Sequence, residues 1–327
     1  MIRNTQQAPG ALDRRAERRS ERREFFRIAL GAAAVTGAGL AAFGVAGRAA
    51  AATVTDTDIL NFALNLEYLE ASFYLHAAYG YALDESLLGG SGTRGKVIGG
   101  RQADFADDTV RAFAREIAFD EVGHVKFLRK ALGSSAVAQP TLDISPDPAG
   151  AFSTAARAAG LIGAGESFDP YANDDNFLLA AFLVEDLGVT AYKGITPLLS
   201  DATYLEAAAG ILAVEAYHAS MIRATLAARG IDTPSLIASA DAISDARDSL
   251  DGASDRDQGL SPVSTSGSAA SNITPLDDDG IAYSRTPQQV LNIVYLTAAA
   301  APKGGFFPDG TNNPNAALTV SGDTSAS

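Results

Sequence analysis

Two glutamate–histidine pairs at one spacing constrain this chain more than any other feature. Glu121 precedes His124 in AFDEVGHVKF, and Glu215 precedes His218 in ILAVEAYHASM, both within otherwise apolar runs. Three residues of α-helix advance roughly 4.5 Å and turn roughly 300°, so each Glu and His leave one helix face about a turn apart. Each pair can therefore reach a common metal centre. Two more carboxylates, Glu67 in LNLEYLEASFY and Glu185 in AFLVEDLGVTAY, stand in equally apolar surroundings. Burying a carboxylate there is costly unless a cation or hydrogen bonds compensate it. Six inward-facing ligands from four helices would satisfy all of them together.

The order of these segments carries further information. A helix over 58–79 is predicted after a Thr/Asp-rich approach suited to N-capping, with Glu67 inside its apolar stripe. Tyr74 follows Glu67 by seven residues, nearly the same azimuth. Glu70 lies about 60° from Glu67 and reads as a rim carboxylate, with an extra ligand as the alternative. His76 points to the opposite face and reads as packing or surface. A second helix over 107–132 carries Asp120, Glu121 and His124 and stops at Gly133. A long connection over 134–173 is broken by Pro140, Pro146, Pro148 and Pro170. The third helix, over 174–199, repeats the first, with Glu185 and then Tyr192. Thr203 to Glu206 reads as a capping box opening the fourth helix, which ends at Arg229-Gly230. That helix is apolar nearly all round, the pattern of a helix buried on several sides.

The result is an internal repeat: a Glu-x6-Tyr helix, a Glu-x-x-His helix, then the same two again. Only three histidines are present, and two of them stand in these motifs. One Glu from each of two helices plus Glu-x-x-His from each of the other two is the ligand set of dimetal carboxylate bundles, and the long connection matches their crossover.

On these motifs the chain resembles the ferritin-like superfamily, and within it exported bacterial ferritin-like domain proteins and plant desiccation-related proteins. The ligand pattern covers about 55–230, and the RTPQQVLNIVYL and GGFFPDGTN stretches extend it more loosely. The expected fold is an all-α, ferritin-like four-helix bundle with one long crossover and a short helical C-terminal extension. The resemblance implies two metal ions, iron or manganese. Glu67 and Glu185 would be terminal carboxylates, Glu121 and Glu215 bridging ones, and His124 and His218 one imidazole per metal. Asp120 completes a DExxH motif whose Asp would orient a ligand imidazole. Val214 holds the matching place in the second pair, so an asymmetric site is expected. Tyr74 and Tyr192 are candidate catalytic residues, as donors of hydrogen bonds or electrons, or else packing residues with a bonded hydroxyl.

The segment 1–52 reads as an export signal. Arg22-Arg23-Glu24-Phe25-Phe26-Arg27 resembles a twin-arginine motif, followed by a mildly apolar stretch over 28–47 and then a run of alanines. A membrane anchor is the alternative, but the low hydrophobicity and small-residue exit favour a cleaved signal and a periplasmic or extracellular protein. The formal net charge is −14; nine basic and four acidic residues precede Ala49, leaving 16 basic against 35 acidic, a net of −19. Such a surface repels phosphate backbones and anionic lipid, which argues against a nucleic-acid partner. The absence of cysteine removes disulfides and thiolate chemistry.

The bundle is expected over 53–232, a short helix and polar linker over 233–280, and an extension over 281–327. Glycines at 89–100 have no preceding strand and no GK[ST], so they do not read as a phosphate loop. Asp255-x-Asp257-x-Gly259 matches part of a calcium loop but lacks its terminal Glu. Thr286-Pro287-Gln288-Gln289 should cap a short helix, Phe306-Phe307 should dock the tail, and the chain from Asn312 should fray.

Three functions fit this reading. The leading one is a dimetal oxidoreductase of peroxidase, catalase or ferroxidase type, with peroxide or dioxygen as substrate. The second is a non-enzymatic stress protein whose metal stabilises the fold. The third is iron storage, which would need assembly of many copies; a homo-oligomer is compatible with each.

Overall fold

Thr55 begins the described fold with a reciprocal cap. Its hydroxyl accepts from the Asp58 N–H while the Asp58 carboxylate accepts from the Thr55 N–H at 2.9 Å, which satisfies two otherwise orphaned donors. Helix α1 runs Asp56–Tyr79 and stops at Gly80, whose φ of 76° is the left-handed conformation a glycine adopts without strain. The structure, a computed structural model, describes residues 53–265 and 268–325. The twin-arginine-type segment lies outside the described residues.

Helix α2, Asp108–Leu132, is capped by Asp107. Helix α4, Asp174–Ile195, is capped by Asn173. Helix α5, Ala202–Arg229, is capped by Asp201, whose carboxylate accepts from the Thr203 and Tyr204 N–H groups. The box expected at Thr203 is therefore two residues late, because Asp201 caps the helix first and Thr203 already lies inside it. Between α2 and α4 the crossover holds an eight-residue helix, α3, Ala151–Ala158. The sequence reading has no helix there. Neighbouring prolines hide it, and its N-cap, Gly150, offers no capping side chain.

Helix α1 packs mainly on α2, and α4 on α5. Both α1 and α4 are buried along nearly their whole length, whereas α2 and α5 bury one face each. The prediction that α5 is buried on several sides fails: Tyr217 is 73% exposed and Leu205 42%. Alanines, including Ala209, Ala213 and Ala216, make its outer face apolar in sequence although it meets solvent. A parallel pair, β1 (Val97–Ile98) and β2 (Leu142–Asp143), ties the loop after α1 to the crossover. Among the described residues no helix is long and apolar enough to cross a membrane.

The C-terminal third departs most from expectation. Helix α6 (Ser235–Asp251) is followed by a hairpin, β3 (Val263–Thr265) and β4 (Ser268–Ala270), then helix α7 (Pro287–Val294), opened by the expected Thr286–Gln289 box. The polar stretch after Asp251 is no free linker, since Asp251, Asp257 and Leu260 are buried. Arg247 bridges Asp186 at 3.0 Å and Asp257 at 2.7 Å, Arg223 bonds Asp186 at 2.7 Å, and Arg285 pairs with Asp257 at 2.9 Å and with Asp251. Three arginines facing three aspartates allow a polar segment to be internal. The same bonds remove the partial calcium loop, because Asp257 is committed to two arginines and Ser244. The tail is held too: Asn312 and Asn65 exchange hydrogen bonds at 2.8 and 2.9 Å, and Leu318 is buried. Phe306, fully buried, meets Phe152 edge-on at 5.0 Å.

Candidate metal centre

All four helices of the bundle contribute to one buried cluster. Glu67 comes from α1, Glu121 and His124 from α2, Glu185 from α4, and Glu215 and His218 from α5. Their donor atoms form two overlapping groups, Glu67–Glu121–His124–Glu215 and Glu121–Glu185–His218, with the atoms of each group within 4.8 Å of one another. His124 Nδ1 lies 3.2 Å from Glu67, 3.3 Å from Glu121 and 3.7 Å from Glu215. His218 Nδ1 lies 3.0 Å from Glu121 and 3.5 Å from Glu185. Glu121 thus turns one oxygen to each imidazole and belongs to both groups. Glu215, expected to bridge, falls in the His124 group alone. The imidazole centroids are 6.4 Å apart.

Burial makes this arrangement unfavourable without a cation. The four carboxylate side chains are wholly buried. Glu185 Oε1 and Glu215 Oε2 have no partner at all, and Glu67 Oε2, Glu121 Oε1, Glu185 Oε2 and Glu215 Oε1 meet nothing but the two imidazoles. Burial pushes Glu67 up to about 7 against the pull of His124. It also raises Glu185, and raises Glu215 well above the usual carboxylate range, where Glu70 adds the largest repulsion. Burial opposes charge on the imidazoles as well, but Glu67 and Glu121 push His124 up to about 12, and Glu185 and Glu121 push His218 to about 12. Despite burial, the two imidazoles hold Glu121 well below its ordinary value. In the metal-free chain two imidazolium protons therefore stand in for cations. Carboxylate oxygens and imidazole nitrogens so converged are a donor set that can hold metal ions.

Residues around the ligands fix their orientation. Asp120 Oδ2 accepts from His218 Nε2 at 3.2 Å, so an Asp on α2 orients the imidazole of α5, leaving Nδ1 facing the carboxylates. Val214, at the matching place on α5, offers no acceptor. The tyrosines cross over as well: the Tyr192 hydroxyl of α4 donates to Glu67 Oε1 on α1. Burial and then the Glu185 charge hold the Tyr74 phenol well above its usual value, and its buried hydroxyl makes no hydrogen bond. Tyr74 also closes an aromatic wall, 4.9 Å from Phe73 and 5.9 Å from Phe177. Solvent reaches the cluster from the α2 side, where the His124 side chain is 12% and the Asp120 side chain 35% exposed.

One carboxylate differs in place from its sequence expectation. Glu70 is no rim residue: it is 4% exposed. Burial raises it well above the carboxylate range, and Glu121, Glu185 and Glu67 add to that. The available signal was its spacing, three residues after Glu67, the same step that joins each Glu to its His.

These shifts set a pH dependence. Glu67 and both imidazoles bind protons more tightly folded than unfolded. Their contribution is fully present below the unfolded values of 4.5 and 6.5, and is lost as pH rises through about 7 and about 12. Glu121 has the opposite sign, but its window lies below 4.5. The metal-free protein should therefore lose stability as pH rises from about 5, first through the Glu67 step near 7 and then through the imidazoles up to about 12, while metal affinity rises over the same interval. Denaturant titrations with and without chelator would show it; a metal-free stability that climbs with pH would contradict the assignment.

The comparisons agree with this geometry. Residues 55–228 match the model of the ferritin-like domain. The desiccation-related protein PCC13-62 of Craterostigma plantagineum is 33% identical over 265 residues, covering 78% of this chain and 82% of that one. The ferritin-like catalase Nec2 of Nesocodon mauritianus is 30% identical over 269 residues, covering 79% and 83%. No solved structure gives a significant match. With the bundle order, the crossover and the four-helix carboxylate–imidazole cluster all present, this chain belongs to the ferritin-like family.

Proposed function

We propose that this protein holds two iron or manganese ions and is an oxidoreductase acting on hydrogen peroxide or dioxygen in oxidative or desiccation stress, after twin-arginine export to the periplasm or beyond. The observation that carries the reading is the pair of overlapping donor groups sharing Glu121, wholly buried carboxylates whose close partners besides Tyr192 are the two imidazoles alone. The likeness to a protein named a catalase favours peroxide over dioxygen.

Glu67, His124 and Glu215 would hold one ion, Glu185 and His218 the other, with Glu121 between them. Two such ions supply redox equivalents at one place and a Lewis-acidic position for the oxidant. The chain does the rest. Asp120 keeps the proton of His218 on Nε2, so Nδ1 stays directed inward. Tyr192 occupies Glu67 Oε1 and leaves Oε2 turned toward His124 and the centre. The Phe73–Tyr74–Phe177 wall excludes water from the α1–α4 side, and a small oxidant would approach past His124 and Asp120.

The test is metal analysis of the exported protein from its host, followed by peroxide turnover on that material. About two iron or manganese ions per chain and metal-dependent turnover are expected. A folded, exported chain that takes up neither metal on reconstitution would end the reading. Bound metal without turnover would favour a stress protein whose metal stabilises the fold, which the likeness to a desiccation-related protein also supports.

A further inference from the structure

One break in the internal repeat faces the metal centre. Helix α1 reads Glu67-x-x-Glu70-x-x-x-Tyr74, and α4 reads Glu185-x-x-Gly188-x-x-x-Tyr192. Glu67 matches Glu185 and Tyr74 matches Tyr192, so Glu70 is matched by a glycine. Gly188 sits where two carboxylates meet: a Cβ there would collide with Glu215 Oε2 and stand 3.2 Å from Glu70 Oε1. Absence of a side chain on one repeat makes room for the extra carboxylate of the other.

Glu70 has no structural use for its charge. It is buried, makes no hydrogen bond or ion pair among the described residues, and its Oε2 is unpartnered. No arginine or lysine is paired with it, unlike every buried aspartate of the Asp186–Asp251–Asp257 network. A buried carboxylate left this way is expensive to keep. We infer that Glu70 is a seventh ligand of the centre, entering beside Glu215 across the gap that Gly188 leaves. This rests on the metal-centre reading above and makes the site more oxygen-rich than the six-residue set, a composition suited to manganese or iron over softer ions.

Full-length wild type and Glu70→Gln, loaded with manganese(II) alone, would test it by chelator competition and electron paramagnetic resonance. Glutamine keeps the volume and loses the anionic donor. The expected result is an affinity lower on the order of tenfold or more for at least one ion, with an altered manganese spectrum. The chelated variant should be at least as stable as chelated wild type, because an unpartnered buried carboxylate has gone. Wild-type affinity and an unchanged spectrum in the variant would overturn the inference while leaving the proposed function standing. So would a variant that loses metal only because its chelated form unfolds more readily than wild type. A wild type that binds no manganese would instead remove the metal centre itself, and Glu70's role with it.

Discussion

Replacing Glu121 and His218 together by alanine will yield a folded protein that no longer binds metal. Glu121 is the carboxylate whose two oxygens face both imidazoles, and His218 is the nitrogen donor of the second group. Losing both leaves Glu185 alone on one side and takes an anionic donor from the other. Metal bound to the native state alone stabilises it by about 2.7 kcal/mol at a hundredfold excess over Kd. Wild type should therefore show a metal-dependent rise in Tm that the double variant lacks. Circular dichroism would confirm the helices in both. A double variant that retains about two ions per chain would place the centre elsewhere.

Arg247→Ala will be strongly destabilising although it lies outside the centre. Arg247 is buried, pairs with Asp186 and Asp257, and also donates to the Leu183 carbonyl at 3.0 Å. Alanine leaves the buried carboxylate of Asp257 with Arg285 as its one remaining cation and weakens the hold on Asp186. Removing one partner of a buried ion pair costs about 3–5 kcal/mol, which for a domain of this size lowers Tm by roughly 10 °C. The exposed pair Arg94–Glu85, broken by Arg94→Ala, should cost under about 1 kcal/mol. Limited proteolysis would locate the damage: the stretch between α6 and α7 should become cleavable, since the arginine network is what keeps it inside. A Tm within about 2 °C of wild type would show that the network contributes little.

Asp186 follows Glu185 directly, so this network and the metal centre share one turn of α4. Damage to the C-terminal segment would reach the ligands through that turn. Metal content of Arg247→Ala is thus a useful companion to its stability.

The four bundle helices, their order and the six residues that converge at the candidate centre were legible in the chain alone. Each is a local property: a three-residue step puts Glu and His on one helical face, and an apolar run around a carboxylate marks a buried one whichever way the helices pack. What faces what was not legible. Asp120 serves the histidine of another helix, Tyr192 the glutamate of another repeat, and Gly188 makes room for Glu70 and Glu215 together. The polar stretch after Asp251 looked solvated because its composition is polar, and it lies inside because Arg223, Arg247 and Arg285 arrive from distant parts of the chain to neutralise it. Periodicity reports which face of an element is buried. Only the packing of elements decides which charges meet there, and in a low-dielectric interior that meeting determines whether a buried carboxylate is a liability, a structural ion pair or a ligand.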